Sequence, residues 1–318
     1  VSEAEELLRE LRRVYAAGPG SDLDAGLRQL GLLYAGIPEP SGAGGSLTLP
    51  LAVAQECARH LSSPGWTLTG VLAARTLLAV ADARTCLDEV LAGARRTAVC
   101  WPGLLGSEAA VLDGATADRL VRVRGHDDGS AEVAVVDLGR AGRRPLDALD
   151  PTRPLAGVAL EGAPVLASGR LAAAAARALR AFWLLVLAAD CVGTMQACLD
   201  LALVQARDRA AFGRPIGAFQ AVRHRCADLY VDVETSRAAV TEGGVAWAAG
   251  SDLALVGALA AASHALDAVV RVAEAVVLLH GAMGFTRAGA AQAYLRRAYA
   301  VQALAPRVRE LRIELATA

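Results

Sequence analysis

The chain has 318 residues, of which 54% are hydrophobic and only 4% aromatic, so its core must be built from closely packed Ala, Leu and Val. The 32 basic and 33 acidic side chains leave a net charge of −1, which offers no basic surface for nucleic acid and excludes that class of partner. Every one of those bases is Arg, because the sequence contains neither Lys nor Asn. Both missing residues have A-rich codons, so the Arg excess points to a GC-rich genome rather than to chemistry.

Residues 1–94 read as an N-terminal helical domain. Leu7, Leu8, Leu11, Val14 and Tyr15 fall on one side of a helix over 3–15. Asp22 or Asp24 is placed to cap a helix over 27–33, and the Pro-Gly-Ser-rich stretch 38–45 must be loop. Helices are expected again over 49–61 and 68–94.

Residues 95–168 form a small middle β domain. Alternation over 119–124 and 131–137 predicts two strands, and Gly125-His126-Asp127-Asp128-Gly129 between them is a hairpin turn signal. A third strand is expected over 156–160.

Residues 169–318 return to helices, expected over 171–208, 221–249, 254–279 and 288–304. Four long helices with short connections predict an antiparallel four-helix bundle. The longest uncharged runs, 181–189 and 253–266, are shorter than the ~18 residues a membrane helix needs, so no membrane span is expected. The acidic start Val-Ser-Glu-Ala-Glu-Glu has no signal-peptide pattern. The six cysteines, at 57, 86, 100, 191, 198 and 226, lack metal-ligand spacing and are expected to be buried thiols in a reducing cytoplasm.

The third segment carries a motif. Arg209-Ala210-Ala211-Phe212-Gly213-Arg214-Pro215-Ile216-Gly217-Ala218-Phe219-Gln220 resembles the R-x-x-F-G-x-P-I-x-x-F-Q motif of acyl-CoA dehydrogenases, and Ala227-Asp228 follows it as the family's A-D pair does. Leu278-Leu279-His280-Gly281-Ala282-Met283-Gly284-Phe285-Thr286 resembles the family's Q-L-H-G-G-I-G-F-T, and Tyr294-Leu295-Arg296-Arg297-Ala298 fits further on. Weaker matches are Leu30-Gly31-Leu32-Leu33 with Pro38-Glu39, Leu112 to Asp118 for L-x-G-x-x-A-D, and Asp150-Pro151-Thr152-Arg153 for D-x-T-R. The resemblance runs in order through most of the chain. It implies a mainly α fold with an N-terminal helical domain, a reduced middle β-barrel domain and a C-terminal four-helix bundle.

In that family FAD accepts a hydride from the β carbon of an acyl-CoA while a Glu removes the α proton. The flavin lies between the β domain of one subunit and the bundle of its neighbour. By resemblance, Arg209 would reach the FAD pyrophosphate of a neighbouring subunit, since a guanidinium offers parallel donors and a permanent charge. Phe212 and Gln220 would accompany it, Gln220 on the adenosine side, and Gly281 and Gly284 would let backbone approach the nucleotide. His280 is expected to be a packed histidine rather than a catalyst.

Three departures qualify the match. Counting to the family's two positions for the Glu base lands on Trp183, upstream of Gly193-Thr194-Met195-Gln196, and near Pro306. No acid lies between Glu161 and Asp190, or between Glu274 and Glu310. The family's T-E-P-x-x-G-S-D stretch and a further strand are replaced by 99–110, which is expected to be too short to supply those strands. Leu278 and Ala282 stand where the family has Gln and Gly.

The resemblance therefore implies a β-type subunit of a heteromeric acyl-CoA dehydrogenase. It would complete the FAD site of a homologous catalytic subunit that supplies the Glu. Some actinobacterial members form α2β2 tetramers acting on steroid side-chain CoA thioesters, with electron-transfer flavoprotein as a candidate acceptor. The alternatives are a complete homomeric dehydrogenase with a displaced base, such as Glu234 or Glu242, and a non-enzymatic scaffold on the same fold.

Overall fold

A computed structural model describes residues 3–16, 30–31, 34, 37, 48–61, 68–286 and 289–318. The expected caps at Asp22 or Asp24, the helix over 27–33, the loop over 38–45 and the matches at Leu30 to Leu33 and Pro38-Glu39 lie wholly or partly outside these residues.

Helices α1 (Glu3–Ala16), α2 (Leu49–Arg59), α3 (Leu68–Leu78) and α4 (Arg84–Leu91) precede the sheet. Helix α1 is held through its buried Leu11 and through Arg12 Nε, which donates to Glu56 at 2.9 Å. The single helix expected over 68–94 is broken between α3 and α4. Val80 is extended there, and a short 3-10 turn, Ala81–Ala83, follows. The cause is tertiary: Val80 packs so closely on Gly169 that a Cβ at 169 would meet Val80 Cγ1 at 2.9 Å. Sheet packing overrides the helical propensity of the Ala-rich sequence.

Seven strands form one mixed sheet: β1 (Thr97–Cys100), β2 (Val111–Leu112), β3 (Arg119–Gly125), β4 (Ala131–Asp137), β5 (Gly142–Leu146), β6 (Leu155–Ala159) and β7 (Val165–Leu171). The order is β5-β6-β2-β1-β3-β4-β7, with β1 and β3 parallel and every other pair antiparallel. The β3–β4 hairpin has the expected register, Arg119 opposite Asp137 and Gly125 opposite Ala131. Its turn is fixed by Asp128, which accepts from the Ser130 amide at 2.9 Å, and by Gly129 at φ +79°.

Three strands, β1, β5 and β7, were not foreseen, and β2 was implied only by the family match over 112–118. β1 is buried at every residue and so shows no alternation. β2 is two residues long, β5 carries Gly and Pro, and β7 contains Ser-Gly. The stretch 99–110, expected to be too short to supply the family's strands, contains the end of β1 and leads directly into β2. Two isolated bridges, Trp101 with Leu105 and Ser107 with Ala110, fold the residues between them.

The bundle comprises α5 (Ala173–Asp208), α6 (Gln220–Ala248), α7 (Ala254–His280) and α8 (Ala290–Leu304), followed by α9 (Val308–Thr317), which was not foreseen. Helix α5 is apolar on all sides because it runs through the centre of the bundle, packed by α2, α6 and α7. Gly193 permits the α2 contact, since a Cβ there would lie 1.9 Å from the Gln55 carbonyl oxygen.

The expectation that no segment reaches membrane-spanning length is corrected. Ala173–Asp208 and Ala254–Phe285 each contain an 18-residue window with a mean hydropathy of 1.6. The helices continue through the charges that end the uncharged runs: Asp190 pairs with Arg153, and Arg271 donates to Asp232 at 2.8 Å. Within the fold the first window is 94% buried and the second 44%. All six cysteines are free, five of them buried and Cys226 half-buried.

Sheet and bundle are joined by a buried polar cluster. The loop after β5 carries Asp150, Thr152 and Arg153. Asp150 receives Arg297 of α8, and Arg153 reaches Asp190 of α5. Asp150 Oδ1 also accepts from the Thr152 hydroxyl at 2.6 Å. Burial pushes the Asp150 carboxyl up, but Arg297 and Thr152 outweigh it and hold the group below its ordinary range. Asp113, after β2, is a third carboxylate beside the two guanidiniums, with Thr69 Oγ1 of α3 donating to it at 3.3 Å. Burial pushes its pKa up to about 6, against the opposing pull of Arg153, Thr69, Arg297 and Arg96.

A carboxyl whose folded pKa is raised from 3.8 to about 6 favours the fold while protonated. That contribution is complete below pH 3.8 and is lost as pH rises through 6. Asp113→Asn mimics the protonated form. Urea melts should find this variant more stable than the wild type at pH 8, by on the order of 3 kcal/mol, with the difference vanishing near pH 4. A pH-independent difference would contradict the assignment.

Candidate functional site

The motif loop joins α5 to α6. Helix α5 ends at Asp208, and two two-residue strands follow, β8 (Ala210–Ala211) and β9 (Arg214–Pro215). Phe212 and Gly213 connect them at φ +52° and +76°. Two positive φ values in a two-residue loop are the pattern of a type I′ hairpin turn, which favours Asn or Gly. A bulky aromatic there is strained. Phe212 is 95% exposed, and its ring meets Phe219 edge-on at 6.1 Å. The Arg214 guanidinium lies 4.3 Å from the centre of the Phe219 ring.

Arg209 stands at the base of this hairpin. Its carbonyl accepts from the Ile216 amide at 2.8 Å, which closes the loop. Its Nη1 donates to the His280 carbonyl at 3.1 Å, at the end of α7. The next residue, Gly281, has φ +62°, and a Cβ there would lie 3.5 Å from Arg209 Nη1. The left-handed turn favours glycine, and the guanidinium lies at ordinary contact distance from it. Two separately predicted positions, Arg209 and Gly281, are thus brought together.

Gly284 is buried in the following 3-10 turn, Gly281–Phe285, where a Cβ would collide with the Val277 carbonyl oxygen at 2.3 Å. It serves this turn rather than an open surface. His280 Nδ1 lies 2.8 Å from the Val276 carbonyl, a local contact that fits a packed histidine. Leu278 and Ala282 are exposed on either side of the turn. Gln220 opens α6, and its exposed amide has no hydrogen-bond partner among the described residues.

Arg209 is exposed and pairs with no carboxylate among the described residues. One of its donors is taken by a carbonyl, which leaves others free for an anion. With the Gly281 turn beside it, this corner fits the pyrophosphate of a dinucleotide such as FAD.

The positions where the base was sought are different. Trp183 is 0% exposed. Its Nε1 donates to Thr76 Oγ1 of α3 at 3.2 Å, and its ring meets Trp101 edge-to-face at 5.3 Å. Pro306 is buried between α8 and α9. Asp190, on the same helix as Trp183, holds Arg153, and the alternative acids are engaged or exposed: Glu234 pairs with Arg237 at 3.3 Å, and Glu242 is exposed. A cavity of about 370 Å³ between the β3–β4 turn and the start of α5 is lined by Trp101, Ser130, Ala176, Arg177 and Leu255, and Trp183 is not in its wall. With no exposed surface, Trp183 itself presents nothing to a ligand in that cavity.

The sequence assigned Trp101 no role.

Comparison with known proteins follows the same lines. The profile of the acyl-CoA dehydrogenase C-terminal domain matches residues 184–305. Acyl-CoA dehydrogenase IpdE2 of Mycolicibacterium smegmatis is 33% identical over 287 residues, covering 89% of this chain and 83% of the relative. In three dimensions, a chain of the ChsE4-ChsE5 complex from Mycobacterium tuberculosis superposes with a TM-score of 0.84 at 23% identity, covering 100% of this chain and 97% of that one. A chain of the Tcur3481-Tcur3483 steroid ACAD gives 0.82 at 23% identity, covering 99% of each. At these identities the two superpositions show the fold alone.

The strained hairpin makes a stability prediction. Phe212→Asn relieves a left-handed aromatic and should raise unfolding stability by ~1 kcal/mol, read by denaturant melts of the chain. No gain would mean that contacts to Phe219 offset the strain.

Proposed function

The chain belongs to the acyl-CoA dehydrogenase family, and from that premise we propose that it is the supporting subunit of a heteromeric enzyme. In this reading a homologous catalytic partner provides the carboxylate base and most of the substrate site. This chain provides the Arg209 corner, which completes the partner's FAD site. The observation that carries the proposal is the contrast between the chain's two candidate centres. The nucleotide corner is exposed with free donors, while the position expected for the base is a tryptophan sealed in the core.

FAD, when bound, supplies the acceptor for the substrate's β hydride. The residues of this chain bind and orient. Arg209 neutralises pyrophosphate charge with its free N–H groups, and the His280 carbonyl fixes the direction of the guanidinium. Gly281 leaves room for close approach, Phe212 extends an apolar ring from the hairpin tip, and Gln220 offers an amide to the adenosine side. Gly284 acts one step back, by shaping the turn that presents Gly281.

An α2β2 assembly, a steroid side-chain CoA substrate and electron-transfer flavoprotein as acceptor belong to the same proposal. The fold they rest on is shared by a chain of a two-protein complex, ChsE4-ChsE5, and by a chain of a steroid ACAD.

The test is the FAD content of the chain co-purified with an adjacent dehydrogenase-like partner. Arg209→Ala should leave assembly intact and weaken FAD binding about tenfold or more, roughly 1.4 kcal/mol, with Arg209→Lys intermediate. Unchanged FAD content would remove the assigned role. A lone chain that is active with one flavin each would restore the homomeric alternative. Replacing Glu234 and Glu242 together should leave kcat of the complex within about twofold, because neither is offered as a base.

A further inference from the structure

We propose that Trp101 and Trp183 form a fixed aromatic stopper that fills this chain's own crevice between sheet and bundle, so that neither an acyl chain nor a flavin ring can enter it. The idea rests on the supporting-subunit reading only for the location of the real site, which that reading places in the partner. The stopper itself stands on packing.

Three elements converge on it. Trp101 directly follows β1, Trp183 lies on α5, and Thr76 lies on α3. The Thr76 hydroxyl donates to the Leu72 carbonyl at 2.7 Å and accepts from Trp183 Nε1 at 3.2 Å. The hydroxyl is thereby fixed in direction, and the indole is fixed by it. Swinging Trp183 aside would leave a buried N–H unpaired and open a void in the core. Trp101 is 6% exposed and Trp183 0%, with ring centres 5.3 Å apart at an interplanar angle of 77°. That edge-to-face contact is favourable for aromatic pairs. Trp101 lines the neighbouring cavity, whereas Trp183 is not in its wall.

The choice of side chain follows from the same physics. An empty apolar crevice between sheet and bundle would forfeit packing along both walls. The two largest side chains available fill it, and two of the four tryptophans of the sequence are used here. A general base must come within hydrogen-bond reach of the proton that it removes. Nothing can come that close to a side chain with no exposed surface, so an acid at this position alone would not restore a site.

The test uses the lone full-length chain, with indole and lumiflavin as probes. The wild type should show no saturable binding of either by calorimetry or fluorescence. Trp183→Gly should melt at lower temperature and bind indole at least about tenfold more tightly than the wild type, with indole restoring much of the lost Tm. The double variant Trp101→Ala/Trp183→Gly should quench lumiflavin fluorescence. If Trp183→Gly does not fold without ligand, Trp183→Leu with toluene makes the same comparison. Lumiflavin binding by the wild type, or equal indole affinity in wild type and variant, would overturn the stopper. FAD loss from the complex with Arg209→Ala is independent of these results. A complex that depends on Arg209, built from a chain indifferent to indole, would therefore retain the supporting role and lose only the stopper.

Discussion

The buried carboxylate–guanidinium cluster is the constraint on which the rest of the molecule depends. Asp150, Arg153, Asp190 and Arg297 come from one loop and two bundle helices, and Asp113 adds a carboxylate from the end of β2. Charges taken out of water persist only when paired and hydrogen-bonded. Removing one member of such a pair typically costs ~3–5 kcal/mol, because its partner is left buried and alone. Apolar packing could hold sheet against bundle in several registers. Two crossed ion pairs allow one, and so fix where β1 and β2 lie relative to α5.

The two candidate centres take their geometry from packing between elements distant in the chain. With β1 packed on α3 and α3 beside α5, the Trp101 ring meets that of Trp183, and their contact closes the crevice. With α7 set against α5 along the bundle, the His280 carbonyl arrives beside Arg209. The closed centre thus follows from the docking of sheet to bundle, and the open one from helix packing within the bundle. The energetics differ in kind. The closed centre is held by area and shape, with one hydrogen bond. The open one keeps free donors and a strained turn, the usual condition of a surface waiting for a ligand.

Much of this was legible beforehand. The helix spans of the bundle were placed within a few residues, since long Ala- and Leu-rich segments bounded by Gly, Pro and charge leave little choice. The β3–β4 hairpin was legible because one face alternates and the turn carries Asp and Gly. The break at Val80 was not, because its cause, Gly169, lies far along the chain. β1 was missed because a strand buried on both faces has no period, and β5 because Gly and Pro disguise an edge strand. In the candidate site the motif singled out Arg209, Phe212, Gln220 and Gly281, but the sequence did not join Arg209 to the His280 carbonyl. It also ranked Gly284 with the nucleotide contacts, while the structure puts it under the turn.

The sequence by itself determined the family motif, the mainly helical architecture and the lack of any acid near the two expected base positions. These are properties of local composition and order, readable wherever neighbours in the chain are neighbours in the physics. The tertiary structure decided what occupies the vacated place and which donors remain free. Both depend on contacts between segments tens of residues apart: Trp101 with Trp183, Trp183 with Thr76, Arg209 with His280. Only the packed chain brings such groups within a few ångströms, where a ring can exclude a ligand and a guanidinium can hold one.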